Sequence, residues 1–142
     1  MQEALNQADL AYKKNEIPIG AVLVKDDLII GRGHNHVIHD LDVSAHAEIY
    51  AIREASKNIK NYRLNNCDMY VTIEPCHMCS KAILDARIRN LFIGAPEPRT
   101  GAVFSIDNFF DDYNHNHHVQ YEKGILEKEC SALIKNFFLE RR

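Results

Sequence analysis

At 142 residues the chain has the length of one domain, and with 46% of them apolar it can bury a core, which excludes a disordered or fibrous polymer. Its apolar runs are only strand-length, which argues against a membrane span, and no basic-then-apolar segment marks a secretory leader. A formal net charge of −3 leaves nucleic acid open as a partner, and the four cysteines suit a cytoplasmic, reducing compartment as thiols or metal ligands.

Leu5, Ala8 and Tyr12, with Ala4 and Ala11 beside them, recur at helical spacing and predict an opening amphipathic helix. Ile19 to Val24 is an apolar run without alternation, as expected of a strand covered on both faces. Lys25-Asp26-Asp27 reads as a turn and Leu28 to Ile30 as the returning strand of a hairpin. Residues 34–44 are polar and histidine-rich and read as an exposed loop. Ala45, Ile49 and Ile52 share a face of a second helix, with Ser44 as its expected N-cap. Met69 to Ile73 is a third strand, ended by Pro75, and a third helix runs from Cys76 to about Ala86 with Ala82, Ile83 and Ala86 inward. Leu91 to Ile93 is a fourth strand, and residues 96–118 are irregular apart from a short helix near Ile106 to Phe110. Val119 to Tyr121 is a short fifth strand, and Leu126, Cys130, Leu133, Ile134 and Phe137 mark a final amphipathic helix. Strands alternating with helices imply a central sheet with helices on both faces. No repeat, linker or low-complexity tract divides the chain, so residues 1–142 form one domain.

Two short motifs carry chemistry. His46-Ala47-Glu48 opens a helix, and Pro75-Cys76-His77-Met78-Cys79 lies at a strand-to-helix turn. Cysteines three apart at a helix start point their sulfurs to one side, and a helix N-terminus lowers thiol pKa. One imidazole and two thiolates make three ligands for a tetrahedral ion and leave a corner for water, the pattern of a catalytic site, and soft sulfur donors favour zinc. Glu48 lies about 200° round a regular helix from His46, poorly placed as a fourth ligand but able to move a proton at the open corner. A redox Cys-x-x-Cys lacks its usual surroundings here, and a structural zinc knuckle needs a second close pair, which Cys67 and Cys130 do not form. His-x-Glu with Pro-Cys-x-x-Cys is the known signature of zinc nucleobase deaminases.

With these motifs in place the chain resembles the bacterial tRNA-specific adenosine deaminase family. The likeness runs through Ile17-Pro18-Ile19-Gly20-Ala21-Val22, Gly33-His34-Asn35, Ala45-His46-Ala47-Glu48-Ile49 and Asn61-Tyr62-Arg63-Leu64. It continues in Tyr70 to Cys79, Arg99-Thr100-Gly101-Ala102, Asn116-His117, Gly124-Ile125-Leu126, Phe137-Phe138 and Arg141-Arg142. The resemblance implies an α/β protein with a three-layer α/β/α cytidine-deaminase-like fold and a mixed sheet of about five strands. It implies a homodimer and conversion of the wobble adenosine of a tRNA anticodon stem-loop to inosine. One Zn2+ per subunit would sit on His46, Cys76 and Cys79, with Glu48 as proton shuttle. Asn35 would hydrogen-bond the purine, Ile17, Pro18 and Ala47 would line its pocket, and Glu97, Arg99, Phe138 and Arg142 would touch the RNA. Where the family carries an acidic and then a basic residue, this chain reads Pro96-Glu97-Pro98-Arg99, a loop stiffened by two prolines. Phe137 falls on the core stripe of its helix and Phe138 off it, so Phe138 is the expected RNA contact. The run His115-Asn116-His117-His118 invites a second metal, against which stands the usual solvation of loop histidines. Two other readings compete: the same chemistry on guanine, cytosine or a free nucleoside, and a non-catalytic, zinc-stabilised RNA-binding module.

Overall fold

A computed structural model describes residues 1–112 and 114–142. The elements are α1 (Gln2–Lys13), β1 (Gly20–Lys25), β2 (Leu28–His34), α2 (Ala47–Ile59), β3 (Asp68–Ile73), α3 (His77–Asp85), β4 (Asn90–Ala95), β5 (Gln120–Lys123) and α4 (Glu127–Leu139). A single 3₁₀ turn at Phe109–Asp111 stands where a short helix was expected.

The five strands lie in the order β2-β1-β3-β4-β5. β1 is antiparallel to β2 and β3, whereas β3, β4 and β5 run parallel, so the sheet is mixed. The predicted hairpin forms with Asp26 at φ 50° and Asp27 at φ 63°, the left-handed pair that matches a two-residue turn to strand twist. β2 continues past Ile30 to His34, further than its apolar residues suggested. Its Gly31 and Gly33 explain this, for they let α2 lie directly on the strand. A Cβ on Gly33 would come within 2.1 Å of the Ala47 carbonyl oxygen, so only glycine lets the start of α2 dock there.

Helices cover both faces. α2 and α3 bury Ala47, Ala51, Ala55, Ile83 and Leu84 against Leu23, Met69, Val71, Leu91 and Ile93, the main core. α1 and α4 cover the other face, where a smaller cluster joins Ile73, Ala95 and Cys130 to Leu5 and Ile134. The helix Cys130 and Phe137 anchor is lightly held: these two are its buried residues, and Leu126, expected on the stripe, is a left-handed N-cap residue at φ 52°. No helix among the described residues is long and apolar enough to cross a membrane.

Local signals misplaced three details. Ser44 does not cap α2; it bonds Asp42 instead, while His46 occupies the N-cap position and Asn35 Oδ1 accepts the Ala47 N–H at 3.0 Å. Cys76 is the N-cap residue of α3, not its first helical residue. In α3 Leu84 is buried in the position foreseen for Ala82, which is only partly covered.

Candidate active site

Two helix starts face each other on the α2/α3 side of the sheet. At each, the N-cap residue has extended backbone, with φ −84° and ψ 154° at His46 and φ −75° and ψ 176° at Cys76, which swings its side chain off the helix axis. His46 Nδ1 thereby lies 3.8 Å from Cys76 Sγ and 3.4 Å from Cys79 Sγ. These donor atoms all fall within 4.8 Å of one another, the one such metal-ligating group among the described residues. Ligand bonds of about 2.0 Å to nitrogen and 2.3 Å to sulfur put the corners of a zinc tetrahedron about 3.5 Å apart, so the spacing fits that ion.

The electrostatics agree. The hydrogen bond from Cys79, aided by His46, pulls the Cys76 thiol down to about 4. The same bond and burial push Cys79 up, and the bond to Cys76 raises His46. The two sulfurs share a hydrogen bond that favours the thiolate at Cys76, and a divalent cation bound there displaces the remaining protons.

Glu48, in the first turn of α2, is 3% exposed, and burial raises its carboxyl pKa while the charge of His46 opposes the rise. A carboxyl whose proton affinity is raised beside a metal-ligating trio is suited to exchange a proton there. Asn35 is buried, and with Oδ1 bonded to Ala47 N–H its NH2 is the group left for a ligand. The Asn35 N–H donates to the Ile19 carbonyl at 3.2 Å, which sets Ile17 and Pro18 beside it. Ile17 is exposed, whereas Pro18 and Ala47 are buried. Ile17, Ile19, Asn35 and Ala47 are thus joined by backbone and side-chain hydrogen bonds, and Glu48 is the next residue along the chain.

The other predicted contacts meet elsewhere. Glu97, Arg99, Phe138 and Arg142 line one groove of about 540 Å³ between α4 and the loop after β4, with Ile73 at its floor and Lys135 on its wall. Phe138 is 48% exposed and Phe137 is 4% exposed. The two terminal arginines differ: Arg141 stacks 3.5 Å over Phe137 and donates to Asn15 at 2.6 Å, so it is occupied in pinning α4 to the end of α1. His115 and His117 are not a metal pair, since their Nε2 groups bond the Phe109 and Ile88 carbonyls at 2.7 and 2.8 Å and pin the loop.

Two buried carboxylates escaped the sequence reading. Glu16 accepts the His39 N–H at 2.7 Å and holds the 34–44 loop. Glu74 sits two residues before Cys76 and collects donors from the loop after β4. Glu16 precedes the quoted Ile17-Pro18 and Glu74 lies within the quoted Tyr70 to Cys79, but burial of a charge leaves no mark on local periodicity.

A mixed α/β/α sheet that brings His-x-Glu and Cys-x-x-Cys helix starts together defines a metal-dependent deaminase. Residues 1–95 match the cytidine and deoxycytidylate deaminase zinc-binding region. A tRNA-specific adenosine deaminase of Haemophilus influenzae is 51% identical across all of this chain and 83% of its own length. One from Streptococcus pyogenes serotype M1 is 45% identical, again over all of this chain and 83% of its own. A solved structure from a study of A-to-I editing by tRNA:A34 deaminases at the wobble position superimposes with a TM-score of 0.90 at 44% identity, covering 94% of this chain and 96% of that one. The chain belongs to the tRNA-specific adenosine deaminases, within the zinc-binding cytidine and deoxycytidylate deaminases.

Proposed function

We propose that this chain hydrolyses the wobble adenosine of a tRNA anticodon to inosine, with His46, Cys76 and Cys79 holding one Zn2+ per subunit and Glu48 shuttling the proton. The observation that carries the reading is the donor triangle around His46 Nδ1 with a buried carboxyl in the first turn of the same helix. Zinc bound there supplies a Lewis acid that makes a water molecule acidic enough to act at neutral pH. Glu48 takes a proton from the water that adds at C6 of the purine and passes it to ring N1, then carries the remaining hydroxyl proton to the departing exocyclic nitrogen. The C6–N bond breaks, a C6 carbonyl forms, and ammonia leaves.

Asn35 orients the base: its NH2 donates to a ring nitrogen while its oxygen stays bonded to Ala47, so the group that reads the purine also fixes the start of α2. Ile17, Pro18 and Ala47 form the apolar wall. An anticodon loop is single-stranded, so its bases splay into a pocket without the cost of opening a duplex. In the α4 groove Phe138 offers a stacking face, and Arg99 and Arg142 offer charge to phosphates, while Glu97 reaches the same groove. The protein acts in the cytoplasm as a homodimer, for which Ile38, Leu41 and Val43, exposed on the loop before His46, supply apolar surface to bury.

The test is purified protein with an anticodon stem-loop carrying wobble adenosine, inosine being read by sequencing. Glu48→Ala abolishes turnover and keeps both zinc and RNA affinity. Zinc-loaded protein that makes no inosine, but releases ammonia from guanine or a free nucleoside, overturns the substrate.

A further inference from the structure

Glu74 directly follows β3 and is 2% exposed. An ionised group that deep is tolerated only where donors replace its water. Here the donors come from one loop. Its Oε1 accepts the successive N–H groups of Val103, Phe104 and Ser105 at 3.1, 2.8 and 2.9 Å. Its Oε2 accepts the Glu97 N–H at 3.0 Å and the Ser105 hydroxyl. Three consecutive amides converging on one oxygen form an anion nest, built in this case around a side chain of the protein itself. The loop closes further on itself through Gly101 N–H to the Glu97 carbonyl at 2.9 Å, and on the metal-ligand segment through Ala102 N–H to the Pro75 carbonyl at 2.9 Å. Gly101 shows how close the wrap is, since a Cβ there would sit 2.3 Å from the Glu74 carboxyl.

From this geometry we infer that Glu74 is a positioning residue for substrate RNA: an internal anion on which residues 97–105 are moulded, so that Glu97 and Arg99 are presented to the α4 groove in register with Cys76. The inference rests on the proposed reading of that groove as the RNA-binding surface. Among the described residues no other side chain bonds both ends of the loop, and Glu74 is two residues from Cys76, so ligand and loop share one anchor. A glutamine is nearly the same shape but cannot do this. Its single oxygen serves one side, and its NH2 then faces the Glu97 N–H, donor against donor.

The experiment measures steady-state deamination of the stem-loop, zinc per chain, and tryptic cleavage after Arg99 in the absence of RNA. Glu74→Gln raises KM about tenfold with kcat within about threefold, keeps its zinc, and speeds cleavage after Arg99. Glu74→Asp recovers part of the KM, because the carboxylate survives. Gly101→Ala, which displaces the loop without touching the charge, reproduces the KM and cleavage changes, and it carries the test should Glu74→Gln not fold. An unchanged KM and unchanged cleavage in either folded variant overturn the inference. So does a loss of kcat and zinc with KM intact, which assigns Glu74 to metal-site integrity alone. If the unmodified protein itself makes no inosine, the proposed substrate falls, while the cleavage arm still decides whether Glu74 orders the loop.

Discussion

Glu48 and Glu74 are buried to the same depth, 3% and 2% exposed, yet their surroundings push their carboxyl pKa values in opposite directions. At Glu48 burial dominates and holds the proton on more tightly than in an ordinary glutamate. Burial pushes Glu74 the same way, but the Ser105 hydroxyl and the N–H groups of Phe104, Glu97 and Ser105 outweigh it and hold the carboxyl below its ordinary range. Burial alone does not determine charge; the number of donors aimed at the carboxylate does. The glutamate with few donors is left able to exchange a proton, and the saturated one becomes scaffold.

The sharpest way to break this contrast is to neutralise each glutamate in turn. Glu48→Gln lowers kcat by about 10² to 10⁴, the usual worth of a positioned acid–base group, and leaves zinc content and thermal midpoint unchanged or slightly higher. A fall in its midpoint would mean that Glu48 too is held by its donors. Glu74→Gln instead costs about 2 kcal/mol in denaturant unfolding, the cost of buried donors left facing another donor. Equal stability effects at the two sites would erase the distinction.

Asn35 combines both roles and separates them by atom. Asn35→Asp keeps an acceptor for Ala47 N–H and removes the donor to the base, so KM rises with little loss of stability. Asn35→Ala loses both, adding a cap-type penalty of about 1 kcal/mol on top of the KM change. Matching stabilities for the two variants would remove the capping role.

The smallest expected effect concerns a half-buried base. His34 accepts from Lys14 Nζ at 3.2 Å and donates from Nδ1 to Gln7 Oε1 at 3.1 Å, so both ring nitrogens are satisfied only when it is neutral. Burial first, then His36 and Lys14, hold its pKa down from 6.5 to about 4, with Glu16 opposing. Between those values the unfolded chain binds the proton that the folded chain refuses. Stability is therefore complete above about pH 6.5 and declines as pH falls towards 4. In His34→Gln the thermal midpoint falls about 3 °C less over that interval than in the unmodified protein, by calorimetry at several pH values. Parallel curves would show that His34 titrates normally.

Elements carried by short-range patterns were legible from the chain itself. The alanine and leucine spacing of α1, the apolar runs of β1 and β3 and the Asp26-Asp27 turn all predict what is found, because each depends on neighbours within a few residues. The metal-ligating trio was legible for a related reason. Its residue types and spacing have few other uses, and at a helix start they converge wherever the two helices meet. Tertiary structure alone decided that Asn35 and not Ser44 satisfies the start of α2, that Arg141, though it lines the groove with Arg142, is tied to Phe137 and Asn15, and that Glu74 gathers a loop 23 to 31 residues further on. A buried polar group is stable only where partners distant in sequence arrive to meet it. Periodicity along the chain carries no record of that meeting.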